Sequence, residues 1–254
     1  MMNDSYFIIF MDSFPYKFTD RYPEFKKTYE EFSLNLNPKS INERYSLLDD
    51  KEKVKLAKMN GLTAKFKELN DSKGWIKLKE GKGFGSYYMD GDGALINIKS
   101  VGIFPFNAME MAAIIADNEY KKKYDKLFKD YKLIDINPLK FMTYHLMFHG
   151  KFPAKQRDFA CVMTTEYDAV TKSFMLAVTS IQDERIPKNS DYERGYVTFA
   201  FYEATPEGSD SCKLTYISNV DLAGSIPKFI ANWASKKQAS LAENIFNNKF
   251  GKKK

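Results

Sequence analysis

The chain has 254 residues, 44% hydrophobic and 28% charged, with a formal net charge of +6. That length allows one large domain or two small ones with a substantial core, and the two cysteines, Cys161 and Cys212, exclude a disulfide framework and fit a reducing compartment, the cytosol. Basic residues are interspersed with acidic ones, as Lys121, Lys122 and Lys123 beside Glu119 and Asp125, which argues against a nucleic-acid partner.

The apolar run Tyr6–Met11 is too short to cross a bilayer and lacks the flanks of a signal peptide, so neither is expected. Residues 1–45, broken by Pro15, Pro23 and Pro38, read as short helices and loops preceding or packed onto a domain. From Asp50 to Asn70, Met59, Leu62, Phe66 and Leu69 recur at helical spacing, behind acidic residues that favour a helix N-terminus. Trp75–Lys79, Phe84–Met89 and Ala94–Phe104 then read as an antiparallel meander. Its turns carry glycines at 81, 83 and 85, and Asp90-Gly91-Asp92-Gly93. The first set lacks the helix and lysine-serine pair of a phosphate loop, and the second is too short for a calcium loop, so both are expected to be turns.

Asn107 with Glu110 approaches a capping box for a helix through Ile114 and Ile115. That helix is interrupted near Asp117-Asn118 and resumes through Tyr124, Leu127 and Phe128. Strands are expected at Tyr131–Ile136, Phe141–Phe148, Phe159–Tyr167, Ser173–Ile181, Tyr196–Ala204 and Lys213–Val220. Strands in succession, with helices before, between and after, indicate an α+β domain rather than repeated βαβ units. The last element is one long amphipathic helix, in which Ile226, Phe229, Ile230, Trp233, Leu241 and Ile245 share a face and Pro227 sits in the first turn.

Catalytic and metal chemistry find little support. The two histidines, His145 and His149, are spaced i,i+4 but lie on or just past a strand, without further ligands at motif spacing or a nucleophile motif. No catalytic residue, metal or cofactor is assigned.

Arg157-Asp158-Phe159, Ile186-Pro187, the strand Leu214-Thr215-Tyr216 leading to Asp221-Leu222-Ala223-Gly224-Ser225-Ile226-Pro227, and the helical pair over Asn107–Phe128 together resemble the START family, the steroidogenic acute regulatory protein-related lipid-transfer domains. The resemblance covers residues 50–247 and places a START-like domain over 46–250, after an N-terminal extension over 1–45 and before a basic tail over 251–254. It implies a helix-grip fold, in which a curved antiparallel sheet wraps a long C-terminal helix and encloses a hydrophobic tunnel for one lipid. The stretch after Phe148, through Lys155, would form a loop at the mouth, and the helix from Pro227 would be the lid. Where several lipid-binding members place a buried acid and arginine, this chain has His145 and Met163, so their lipid is not simply carried over.

The expected ligand-binding residues are Phe141, Thr143 and His145 on one strand, Phe159, Cys161 and Met163 on the next, and Ile226, Phe229, Ile230 and Trp233 on the final helix. Arg157 and Asp158, adjacent and so facing opposite ways, are expected to anchor the strand and its loops, and Asp221 to act in a turn. The expected function is non-catalytic binding and intermembrane transfer of a single lipid, of sterol or phospholipid class, by a cytoplasmic monomer that touches membranes transiently, with Phe152 as an interfacial contact. The alternative is a lipid-sensing scaffold with a protein partner on residues 1–45, and an enzyme using the same cavity ranks lower.

Overall fold

Asp49 and Glu52 open the first helix by exchanging bonds: the Asp49 carboxylate accepts the Glu52 N–H at 2.7 Å and the Glu52 carboxylate accepts the Asp49 N–H at 3.2 Å. In the computed structural model, which describes residues 47–81, 83–91, 95–136, 141–168, 170–224, 226 and 228–250, this helix is α1 (Asp50–Asn60). The expected extension over 1–45 and tail over 251–254 lie outside the described residues. The single helix expected to Asn70 is two, because Gly61 closes α1 with its N–H on the Met59 carbonyl before α2 (Leu62–Asp71) begins. Glycine holds a helix poorly, and here it marks the joint.

The meander follows as β1 (Ile76–Gly81), β2 (Phe84–Asp90) and β3 (Ile96–Phe104), all antiparallel. Gly83, at φ +80°, lies in the β1–β2 turn, and Asp90 pairs opposite Ile96, so both glycine-rich stretches join adjacent strands. Asn107 and Glu110 form a full reciprocal cap on α3 (Ala108–Ala116), at 2.9 and 3.1 Å. Asp117 then accepts the N–H groups of Glu119 and Tyr120 and starts α4 (Asn118–Tyr124). This helix ends earlier than expected: Asp125 turns into extended backbone, its carboxylate takes the Leu127 N–H, and Phe128 opens β4 (Phe128–Ile136).

The remaining elements are β5 (Met142–Phe148), β6 (Gln156–Asp168), β7 (Ser173–Ser180), a three-residue β8 (Tyr192–Arg194), β9 (Tyr196–Pro206), β10 (Cys212–Asp221), α5 (Lys228–Ala239) and α6 (Leu241–Phe250). Strand β6 starts earlier than expected and takes in Arg157 and Asp158, while β8, which no sequence signal marked, pairs parallel to that start. The other strands form one antiparallel sheet in the order β1-β2-β3-β10-β9-β7-β6-β5-β4.

Helices cover both faces. The outer face, with Phe141, Val162, Met175, Phe199, Phe201 and Ile217, packs on Met59, Leu62, Phe66 and Leu69 of α1 and α2. Phe201 is fully buried, its ring 5.5 Å from Phe66 edge-on and 5.1 Å from Phe199 in a stack. The inner face, with Phe104, Leu176 and Leu214, meets α3, α4 and the C-terminal helices through Met111, Ala112, Tyr124, Leu241, Ala242 and Ile245. This α+β arrangement is the helix-grip fold. Its C-terminal segment is two helices rather than one, divided at Ser240, and the sheet satisfies the ends the break exposes: Ser86 donates to the Ala239 carbonyl at 2.6 Å, and Ser100 accepts the Ala242 N–H at 3.1 Å.

Candidate functional site

The inner face is not filled. On β9, Phe199 and Phe201 point outward while Ala200 between them points inward, directly opposite Val178 of β7. Two small side chains side by side leave space above them, and a cavity of about 140 Å³ opens there, lined by Ile115, Phe159, Met163, Tyr202, Tyr216 and Trp233 among others. At roughly 10–15 Å³ per water, that is space for about ten water-sized groups.

Strand register decides which expected site residues reach this space. Phe159, Cys161 and Met163 of β6 pair with Leu146, Tyr144 and Met142 of β5, and directly opposed residues share a face. Phe159 and Met163 line the cavity, and Cys161 is buried on the same face without reaching the lining. Phe141, Thr143 and His145 therefore lie on the opposite face, and the expectation that they line the pocket is corrected by one residue of alternation. Phe141 packs in the outer core. Thr143 accepts a hydrogen bond from the buried Lys55 ammonium at 3.0 Å, and Lys55 also pairs with Asp183 at 3.4 Å, tying α1 to the sheet. His145 Nε2 lies 2.8 Å from Asp158 Oδ2, and Arg194 grips the same carboxylate at 2.8 and 2.9 Å. Burial alone would push the Asp158 carboxyl up, but the bonds from Arg194 and His145 outweigh it and hold the group below its ordinary value.

From the C-terminal segment, Ile226 and Trp233 line the cavity, whereas the side chains of Phe229 and Ile230 lie outside the described residues. Trp233 faces the loop between β5 and β6, where the Lys151 ammonium sits 4.1 Å from its ring centroid. In that loop Phe152 is 93% exposed. The connection from β10 to α5 is braced from below. Arg157 donates to the carbonyls of Leu222 at 2.7 Å and Ala223 at 3.4 Å, and to that of Lys155. Asp221 accepts the Ala223 N–H at 2.8 Å, and Ala223 and Gly224 follow at φ 53° and 67°. Arg157 and Asp158, as neighbours on a strand must, act on opposite faces.

The lining has a polar sector that the sequence reading missed. Asn118 and Tyr124 of α4 line the cavity, and burial drives the Tyr124 hydroxyl well above its ordinary pKa, with the nearby Tyr202 and Tyr216 hydroxyls adding to the effect. Helical spacing of Asn118, Lys121 and Tyr124 is the signal that could have found it. The one thiol on the inner face near this site, Cys161, is pushed up to about 12 by burial and stays protonated. Among the described residues no group of three His, Cys, Asp or Glu side chains is placed to hold a metal ion, and no helix is long and apolar enough to cross a membrane.

A family model described as START domain matches residues 57–253. No curated protein matches the sequence. Solved structures do. Human StAR-related lipid transfer protein 5 superposes with a TM-score of 0.68 at 13% identity, over 76% of this chain and 94% of that one. Human STARD10 gives 0.61 at 21% identity, over 74% and 81%, and the lipid transfer and protein localization domain of human StarD13 gives 0.61 at 21%, over 75% and 95%.

Proposed function

The chain belongs to the START domain family, and on that premise we propose that it binds a single lipid in the inner cavity and carries it between membranes without catalysing a reaction. The observation that carries this reading is the unfilled, largely apolar space above Ala200 and Val178, bordered by Trp233 and the loop after β5. About ten methylenes withdrawn from water at roughly 0.8 kcal/mol each contribute about 8 kcal/mol before ordering costs, the scale of micromolar binding. Such a ligand is held against water and still released. Two of the similar structures, a human StAR-related lipid transfer protein and a human lipid transfer and protein localization domain, agree with the reading.

Exchange needs an opening, and α5 with the loop over 149–155 is the element proposed to move. Phe152, exposed beside Lys151 and near Lys155, has the aromatic and basic character of a transient membrane contact, from the cytosolic side. The absence of catalysis is supported by chemistry: the Cys161 thiol is protonated and therefore a poor nucleophile, and His145 is engaged with Asp158 on the other face. Transfer of a fluorescent lipid from donor to acceptor vesicles tests the proposal. The protein should accelerate transfer saturably, and Met163→Arg, which pushes an unpaired cation into the lining, should lower lipid occupancy by about tenfold or more while leaving the far-UV circular dichroism unchanged. Full occupancy in a folded Met163→Arg variant removes Met163 from the site, and a wild-type protein that neither binds nor moves lipid overturns the function.

A further inference from the structure

Helix α4 sets three donors along the cavity wall. Asn118, Lys121 and Tyr124, three residues apart, share one face and all line the cavity. Asn118 Nδ2 and the Tyr124 hydroxyl are on residues only 4% and 3% exposed, and neither has a hydrogen-bond partner. Buried polar groups are nearly always paired, so two orphans on one wall of a cavity point to a missing partner inside it. Lys121 lies between them, its ammonium 5.0 Å from the Phe128 ring and 5.7 Å from the Phe148 ring, and no carboxylate pairs with it among the described residues. Its neighbours are committed elsewhere: Lys122 pairs with Glu119 and Asp130, and Lys123 sits over Tyr120. Of the other lining cations, Lys151 covers Trp233, Arg157 holds backbone carbonyls, and Lys155 and Lys237 belong to the loop after β5 and to α5 rather than to the wall that carries the two orphans. Asp125, the one carboxylate in the lining among the described residues, accepts the Leu127 N–H at 3.0 Å.

We infer that the lipid's polar end is an anion, a carboxylate or a phosphate, seated on α4 with Lys121 as its countercharge and Asn118 Nδ2 and the Tyr124 hydroxyl as donors. An unpaired cation flanked by two unpartnered groups that can donate matches a charged acceptor, whereas a sterol hydroxyl or a neutral ester leaves Lys121 without a countercharge. The inference rests on the lipid-binding reading and narrows its ligand to anionic lipids.

The test compares ligands that share one chain short enough for this space and differ in head: decanoate, decyl phosphate, monodecanoylglycerol and decanol, each displacing a fluorescent fatty-acid analogue from the full chain below its micelle concentration. At least one acid should bind about tenfold tighter than the alcohol or the glyceride. Which acid binds tighter separates a carboxylate from a phosphate source. Lys121→Met should erase the preference for the acids over the alcohol, and Lys121→Arg should retain it. Asn118→Asp, which sets a carboxylate at the same place, should weaken the acids selectively. Equal affinity for acid and alcohol in the wild type, or a preference that survives in a folded Lys121→Met protein, overturns the inference and leaves lipid binding standing. No binding of any of the four overturns both.

Discussion

The two halves of the C-terminal helical segment make opposite uses of similar apolar sequence. In α6, Ile245 and Ala242 are buried at 0% and 1% exposure, and the Phe246 ring lies 4.8 Å from Phe84 and 5.1 Å from Phe250. Gly102 on β3 makes room for it, since a Cβ there would come within 2.9 Å of the Ala242 Cβ. In α5, Trp233, Ala234, Lys237 and Gln238 face the cavity, which α6 reaches through Leu241 and Asn244 in its first turns, and Trp233 meets Lys151 of the loop after β5. One helix mostly fills the grip of the sheet, and the other borders the space along more of its length. A wall that faces a cavity forfeits the packing on that side, and the half with less to lose is the half proposed to move.

The contrast breaks most visibly under truncation. Ile245→Ala should cost about 2–5 kcal/mol of folding stability by denaturant titration, as a cavity in a filled core does. Trp233→Ala should cost clearly less yet release bound lipid faster, and equal losses from the two variants would mean that α5 is packed as firmly as α6. A disulfide between cysteines placed at 151 and 233 should slow lipid exchange by about tenfold or more while changing equilibrium affinity much less, because it restrains an opening rather than a contact. Exchange rates that do not respond to reduction of this bond would rule out gating by this pair.

The smallest effect tests whether the outer anchor is independent of the lid. Asp183, which holds Lys55 of α1, has its carboxyl pulled down to about 2 by the Arg185 guanidinium against the opposing effect of burial. A depressed folded value stabilises above the unfolded value of about 4 and loses that contribution as pH falls toward 2. The stability gap between the wild type and Asp183→Asn should therefore narrow between pH 5 and 2, with the exchange rate of the Asn variant at neutral pH unchanged. A gap that stays constant with pH would show that the Asp183 charge does not anchor α1.

What the sequence could disclose follows the range of the forces involved. Local hydrogen bonding was legible, as in the Asn107 and Glu110 cap and the hairpin at Asp90, because both partners lie within a few residues. Strand existence was legible for the same reason. The face of β5 was not: Phe141, Thr143 and His145 alternate with Met142, Tyr144 and Leu146, and in a strand covered on both sides either set reads as buried. The breaks at Gly61 and Ser240 were hidden by apolar periodicity that runs through both joints, and at the second the flanking Ala239 carbonyl and Ala242 N–H are satisfied by the hydroxyls of Ser86 and Ser100, more than a hundred residues away. In the sequence Lys121 reads with Lys122 and Lys123 only as a base among acidic neighbours, and only tertiary contacts separate the cation over Phe128 from its two neighbours.

The central claim is that one lipid occupies the space above Ala200. Native mass spectrometry of the full chain, after incubation with mixed-lipid vesicles and followed by denaturing extraction of whatever is bound, tests it most directly. The account predicts one lipid per chain in the wild type and depletion of that adduct in Met163→Arg. A protein that stays empty in contact with every vesicle composition, or a bound lipid indifferent to Met163→Arg in folded protein, would contradict it.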